Sequence, residues 1–358
     1  MRVVTESPDH ERVDFEDGVW VHRAVVDATD PAPPEVPTPL WVWSATARDR
    51  LLAAAARRPL DVVEVPLWDG EGAAILGAAG WRTVLGVYTP LTTLVRLDPR
   101  AAALPPAHLA TLVALERRSL ETASVVLASG PWTIAEVEAG HGLHLDPARV
   151  RYAAHGLADH TASVVPERWG GDGPELLFVG RLEPRKGIDV LLAVLADLLV
   201  AVPGLRVTVA GDDPDGHGAA WAATAPAGLA GRVRFLGRVD DERLRRLYAA
   251  ASVLVAPSRY ESFGLVLLEA MMFGAAVVAS GVGGMAEVVE DGVSGLLVPP
   301  GDAAALAAAL QRVLLDEPLR RRIGAAGLAR YRSGFSAEAM AARLEAALYA
   351  PPIGGCGR

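Results

Sequence analysis

Six apolar runs of strand length recur through the second half of the chain, at 175–179, 205–210, 233–236, 252–256, 276–279 and 295–298. Helical stretches separate them, and Gly or Pro marks the joins. A strand with one wet face alternates apolar and polar residues. A strand covered on both faces reads as continuously apolar, as these do. Such strands alternating with helices specify a parallel sheet flanked by helices, an α/β doubly wound domain. The first half repeats the theme less regularly. Residues 19–26, 61–65, 83–88, 124–128 and 150–154 read as strands, and 44–57, 72–79, 106–122 and 131–140 as helices. Asp30 to Pro39 is Pro-rich and reads as an extended connector. Trp41 and Trp43 alternate as on a strand and read as core.

Residues 161–174 interrupt the pattern with Pro166, Gly170, Gly171, Gly173 and Pro174. The expected organisation is a first Rossmann-like domain over 1–160, a linker over 161–174 and a second Rossmann-like domain over 175–335. A closing helix over 336–350 and a loose tail over 351–358 follow. The chain has 358 residues and is 51% hydrophobic, enough for two cores with a cleft between the domains. The net charge of −9 argues against a nucleic-acid partner. The one cysteine, Cys356, excludes a disulfide framework and a Cys-rich zinc site. No apolar run reaches the length of a membrane span, and no secretory signal opens the chain. The expected location is cytoplasmic, with peripheral membrane contact left open.

Of the 34 basic residues one is a lysine, Lys186; asparagine is absent. A position that keeps lysine against such a bias is a candidate for needing a compact ammonium, which a planar guanidinium does not replace. Lys186 lies in Gly180-Arg181-Leu182-Glu183-Pro184-Arg185-Lys186-Gly187, between the run 175–179 and a helix starting at Ile188. Ligands of open α/β sheets bind at the carboxyl ends of strands. This loop offers cations and a helix N-terminus, a setting suited to a diphosphate or, more plainly, to a solvated turn. The run 252–256 leads into Pro257-Ser258-Arg259-Tyr260-Glu261-Ser262-Phe263-Gly264-Leu265, where a helix starts. Glu261 stands before that helix and Glu269 about a turn and a half inside it. The amides of Phe263, Gly264 and Leu265 are helix-start donors able to hold hydroxyls or phosphate. Glu269 suits a ribose diol. The plain alternative for the pair is a capping carboxylate and a surface glutamate.

Those two stretches resemble the paired signatures of the retaining, nucleotide-sugar-dependent glycosyltransferases of family four, glycosyl transferases group 1, which have the GT-B fold. The likeness continues through Ser280-Gly281-Val282-Gly283-Gly284-Met285-Ala286-Glu287 and Asp291-Gly292-Val293-Ser294-Gly295-Leu296-Leu297-Val298-Pro299-Pro300-Gly301-Asp302, and covers most of residues 150–350. It implies that Gly180, Arg181 and Lys186 hold the donor diphosphate and that Glu269 binds the ribose. It implies that Glu261, with the backbone of Phe263, Gly264 and Leu265, holds the transferred sugar, and that Glu261, Arg181 and Lys186 carry the catalysis. It implies a UDP-, GDP- or ADP-sugar as donor, with no cofactor and no metal expected. The resemblance further implies a small-molecule, lipid or glycan acceptor held mainly by the first domain. Tyr88, in Val87-Tyr88-Thr89-Pro90-Leu91, stands where relatives carry a histidine facing the donor sugar.

Other features are weaker. Asp213-Pro214-Asp215 resembles an Asp-x-Asp metal motif but reads as a loop. His141 and His144 flank glycine at a helix end, without a third ligand nearby. His155-Gly156 reads as a turn. Residues 238–246 mix Arg with Asp and Glu, and read as a helix start. Arg2 to Thr5 reads as the second strand of its domain, so a strand, Gly-rich loop and helix are expected upstream of Met1. The competing expectation is a non-catalytic or inactive nucleotide-sugar-binding fragment.

Overall fold

A computed structural model describes residues 1–349 apart from Gly18, Gly77 and Ala79, and the backbone alone of Asp69 and Pro99. The expected tail 351–358 with Cys356, the last residue of the closing helix and the end of the 72–79 helix lie outside the described residues. The chain forms two compact units, Met1–Ala153 with the chain from Leu344 onward, and Ala154–Arg343.

In the first unit β1 (Arg2–Glu6), β2 (Arg12–Glu16) and β3 (Val19–Ala24) form one sheet in the order β1-β3-β2, with β1 parallel and β2 antiparallel to β3. Then β4 (Val62–Pro66), β5 (Arg82–Val87), β6 (Val125–Ala128) and β7 (Val150–Tyr152) form a parallel sheet in chain order. Alternate residues of these strands feed two cores. Leu85, Val126 and Ala128 pack on one face, and Val84, Val125 and Leu127 pack on the other with Ala347 and Leu348 of the final helix, Ala337–Tyr349.

Two expectations for this unit are corrected. A helix spans Thr38–Ala55, starting six residues before the expected 44–57, and Trp41 and Trp43 lie on it, not on a strand. Pro39 sits in its first turn, where a missing N–H costs nothing. Two residues apart means about 200° around a helix. Trp43 therefore packs toward the Val63–Val65 core, while Trp41 packs toward Leu112 and Leu115.

The second unit has one six-stranded parallel sheet. Its strands are β8 (Glu175–Val179), β9 (Arg206–Ala210), β10 (Val233–Phe235), β11 (Val253–Ala256), β12 (Ala276–Ser280) and β13 (Leu296–Val298). Their order is β10-β9-β8-β11-β12-β13. Successive strand residues alternate between two cores: Val253 and Val255 enter one, Leu254 and Ala256 the other. Fully burying one such side chain stabilises by about 1.5–3 kcal/mol, so both faces of the sheet demand helical cover. The chain runs outward from β8 to β10 and then restarts beside β8 with β11. The switch point lies between those two strands, where sheets of this class open a crevice at the carboxyl ends.

The segment 161–174 packs onto this unit. Glu167 pairs with Arg234 and Arg243 at 3.3 and 3.0 Å, and the Trp169 ring lies beneath the guanidinium groups of Arg206 and Arg234.

Candidate active site

The two loops flanking the switch point are stitched together. Residues 180–187 leave β8 and close in a tight turn, Pro184–Lys186, before the helix Ile188–Ala201. Residues 257–264 leave β11 and enter the helix Leu265–Met272. The Arg259 N–H donates to the Arg185 carbonyl at 2.8 Å. The Arg259 guanidinium donates to the Pro184 carbonyl at 2.6 Å and to both Asp189 oxygens at 2.7 and 2.6 Å. That guanidinium holds the Asp189 carboxyl below its ordinary range. Gly187 has φ +71°, and a Cβ there would stand 1.9 Å from the Pro257 carbonyl oxygen. Only glycine lets the loops approach this closely.

Across that seam the Lys186 ammonium donates to Glu261 Oε2, with both side chains largely buried at 17% and 15% exposure. The lysine stem runs past Gly180, whose missing Cβ would lie 3.7 Å from Lys186 Cδ. Arg181 stays open at 55% exposure, 3.3 Å from Glu183. Phe263 is buried, Gly264 precedes the helix with φ +95°, and Leu265 is the first helical residue. The stretch Ser280 to Glu287 backs this segment. The Gly284 N–H donates to the Glu261 carbonyl at 3.1 Å, and a Cβ on Gly283 would meet that same oxygen at 1.9 Å. His155 stands edge-on to the Phe263 ring at 4.9 Å, and burial lowers its pKa.

Glu269 has a separate environment. It accepts a hydrogen bond of 2.5 Å from Tyr248, a buried residue of the helix Asp241–Ala250. It borders a cavity of about 220 Å³ lined also by Leu157, His160, Asp241 and Arg245. Burial raises the Glu269 carboxyl above its ordinary pKa, and the Tyr248 hydrogen bond opposes that rise. Burial also drives the Tyr248 phenol well up. The sequence reading did not single out Arg259, Asp189 or Tyr248. An acid in the first turn of the helix after Gly187 is the one local signal that pointed toward any of them.

Tyr88 lies in the first unit, just past β5. It is half-buried, its ring 5.8 Å from that of Trp68, whose Nε1–H donates to the Thr89 carbonyl at 3.3 Å. Burial and the charge of Glu64 raise its pKa. Asp213 accepts from the His217 and Gly218 N–H groups at 2.9 and 2.8 Å and so caps the helix His217–Thr224. His141 is buried against Glu116, which also holds the Leu91 N–H at 3.0 Å.

The family described as glycosyl transferases group 1 matches residues 161–330. Over 318 residues the chain is 35% identical to the D-inositol 3-phosphate glycosyltransferase of Frankia alni, covering 82% of this chain and 75% of that protein. Its fold is similar to that of sucrose-phosphate synthase from Thermosynechococcus elongatus, with a TM-score of 0.74, 26% identity and coverage of 96% and 86% of the two chains. It is also similar in fold to WaaG, a glycosyltransferase involved in lipopolysaccharide biosynthesis, with a TM-score of 0.64, 19% identity and coverage of 94% and 89%. No helix among the described residues is long and apolar enough to cross a membrane. With one relative sharing 35% of its residues over most of both chains, this chain belongs to the group 1 glycosyl transferases, enzymes of the GT-B fold.

Proposed function

We propose that the chain transfers a sugar from a UDP-, GDP- or ADP-sugar to a hydroxyl of a small-molecule, lipid or glycan acceptor, with retention at the anomeric carbon. The observation that carries this reading is the Lys186–Glu261 pair at the switch point between β8 and β11. A cation beside a carboxylate at that crevice suits a ligand with a diphosphate at one end and hydroxyls at the other. Lys186 and Arg181 take the diphosphate beside Gly180, and Glu261 takes hydroxyls of the transferred sugar, helped by the amides of Phe263, Gly264 and Leu265. Glu269, bordering its own cavity, takes the ribose diol.

In the transfer step the acceptor oxygen bonds to the anomeric carbon on the face that the diphosphate leaves. The carbon–oxygen bond to the β-phosphate breaks, and its electron pair stays on the phosphate. That oxygen receives the acceptor proton. Lys186 and Arg181 stabilise the negative charge that develops, and the rest is orientation. No metal or cofactor enters this reading. The acceptor lies on the first unit, where Tyr88 offers a hydroxyl.

A thermal-shift screen against UDP-, GDP- and ADP-sugars, followed by a transfer assay, tests the reading. A ligand at a hundred times its Kd stabilises by about 2.7 kcal/mol. One of the three donors raises the melting temperature and is consumed in transfer. Binding without turnover would favour a non-catalytic binding protein, and no binding at all would remove the donor site.

A further inference from the structure

We infer that the acceptor is an uncharged sugar or polyol and not a phosphate ester, and that Glu64 enforces that choice. This rests on the reading above that the acceptor lies on the first unit. Parallel strands present ligands at their carboxyl ends. Here β4, β5 and β6 end in Leu67-Trp68-Asp69-Gly70-Glu71-Gly72, Tyr88-Thr89-Pro90-Leu91 and Ser129-Gly130-Pro131-Trp132. None of these three loops contains Lys, Arg or His, and the chain past β7 carries His155, whose pKa burial lowers. Phosphate esters are held by charge-assisted hydrogen bonds from such cations.

Glu64 stands on β4, two residues before the strand ends, and is exposed. Its side chain leans toward the end of the sheet. A methyl group placed on Gly86 would stand 3.0 Å from Glu64 Oε1 and 3.6 Å from the Tyr88 hydroxyl. The carboxylate and the phenol therefore share one small area. The Trp68 ring beside Tyr88 is 50% exposed and adds an apolar face. A carboxylate that accepts, a phenol that donates and accepts, and an indole face suit a neutral ring bearing hydroxyls. A phosphate dianion at the same place meets like charge. The Frankia alni relative is named for an inositol phosphate; the inference separates this chain from that substrate class.

The test uses the full chain with matched acceptors: glucose and glucose 6-phosphate, myo-inositol and D-inositol 3-phosphate, glycerol and glycerol 3-phosphate. Transfer is measured with the donor found by thermal shift. The same pairs are titrated without donor by ligand-observed NMR, so the preference is readable whether or not transfer occurs. The neutral member of at least one pair is expected to bind, and to run at least tenfold higher in kcat/KM than its phosphate ester. Glu64→Arg should move that ratio at least tenfold toward the ester, with Glu64→Gln between the two and nucleotide affinity unchanged in both. Preference for the esters in the parent chain overturns the inference. So does a ratio that Glu64→Arg leaves unmoved, or the failure of every neutral member to bind. Loss of donor binding with the NMR preference intact sinks the donor-site reading alone.

Discussion

The Tyr248 hydroxyl donates to a Glu269 carboxylate oxygen at 2.5 Å from a position that is 2% exposed. A phenol so buried cannot drift, so it fixes the carboxylate that is proposed to meet the ribose. Burial alone would favour the protonated acid; the hydrogen bond pulls in the opposite direction.

Nucleotide affinity should therefore fall on acidification at a pH above the ordinary glutamate value of 4.5, since the diol needs the ionised carboxylate. Tyr248→Phe removes the opposing hydrogen bond, so the fall should move to still higher pH. Glu269→Gln should abolish the dependence. The raised pKa also means that this group's contribution to stability is present below 4.5 and is lost as pH rises through the folded-state value. Calorimetric titration of the nucleoside diphosphate from pH 4 to pH 8, roughly the span in which a perturbed carboxyl titrates, checks the order of the three curves.

Lys186→Ala should stop transfer and weaken nucleoside-diphosphate binding. A charge-assisted hydrogen bond contributes about 1.5–3 kcal/mol, or roughly 10- to 150-fold in Kd. Glu261→Ala should lower turnover more than nucleotide affinity, because its proposed partner is the sugar. Equal diphosphate affinity in Lys186→Ala and the parent would show that the site lies elsewhere.

Gly187→Ala should damage both stability and donor binding. A left-handed residue other than glycine costs about 1–2 kcal/mol, and its Cβ would stand 1.9 Å from the Pro257 carbonyl oxygen. In a unit of this size each kcal/mol lowers Tm by roughly 2–4 °C. Differential scanning calorimetry reads the shift, and an unchanged Tm would mean that the seam between the loops is looser than described.

Transfer should survive a chelator, because the proposed charge stabilisation comes from Lys186 and Arg181. Asp213→Ala should cost about 1 kcal/mol through loss of a helix cap, since Asp213 is occupied by the His217 and Gly218 amides. Strict dependence of turnover on a divalent ion would return Asp213 and Asp215 to the reaction.

The six strands of the second unit were legible because burial on both faces writes itself into a strand as an unbroken apolar run; β8 to β13 begin and end within a residue or two of those runs. The first unit was less legible. Arg12–Glu16 alternates polar and apolar residues as an edge strand does, yet five residues carry little weight alone. Trp41-Val42-Trp43 fits period two over too short a stretch to tell strand from helix, and packing against two cores decided for the helix.

The sequence by itself determined the α/β class, the motifs and their order, because periodicity, glycine placement and residue spacing are properties of a linear chain. Lys186 stood out from composition alone. Only the tertiary structure decided partners. Lys186 meets Glu261 across 75 residues, Arg259 meets Asp189 across 70, and Tyr248 meets Glu269 across 21. Each pair joins side chains from different strand–helix units, and the distance between such units is set by the order of strands in the sheet. β8 and β11 are neighbours there although two strands separate them in the chain. That adjacency follows from how the helices cover both faces, a balance of packing over the whole unit that no local stretch of residues encodes.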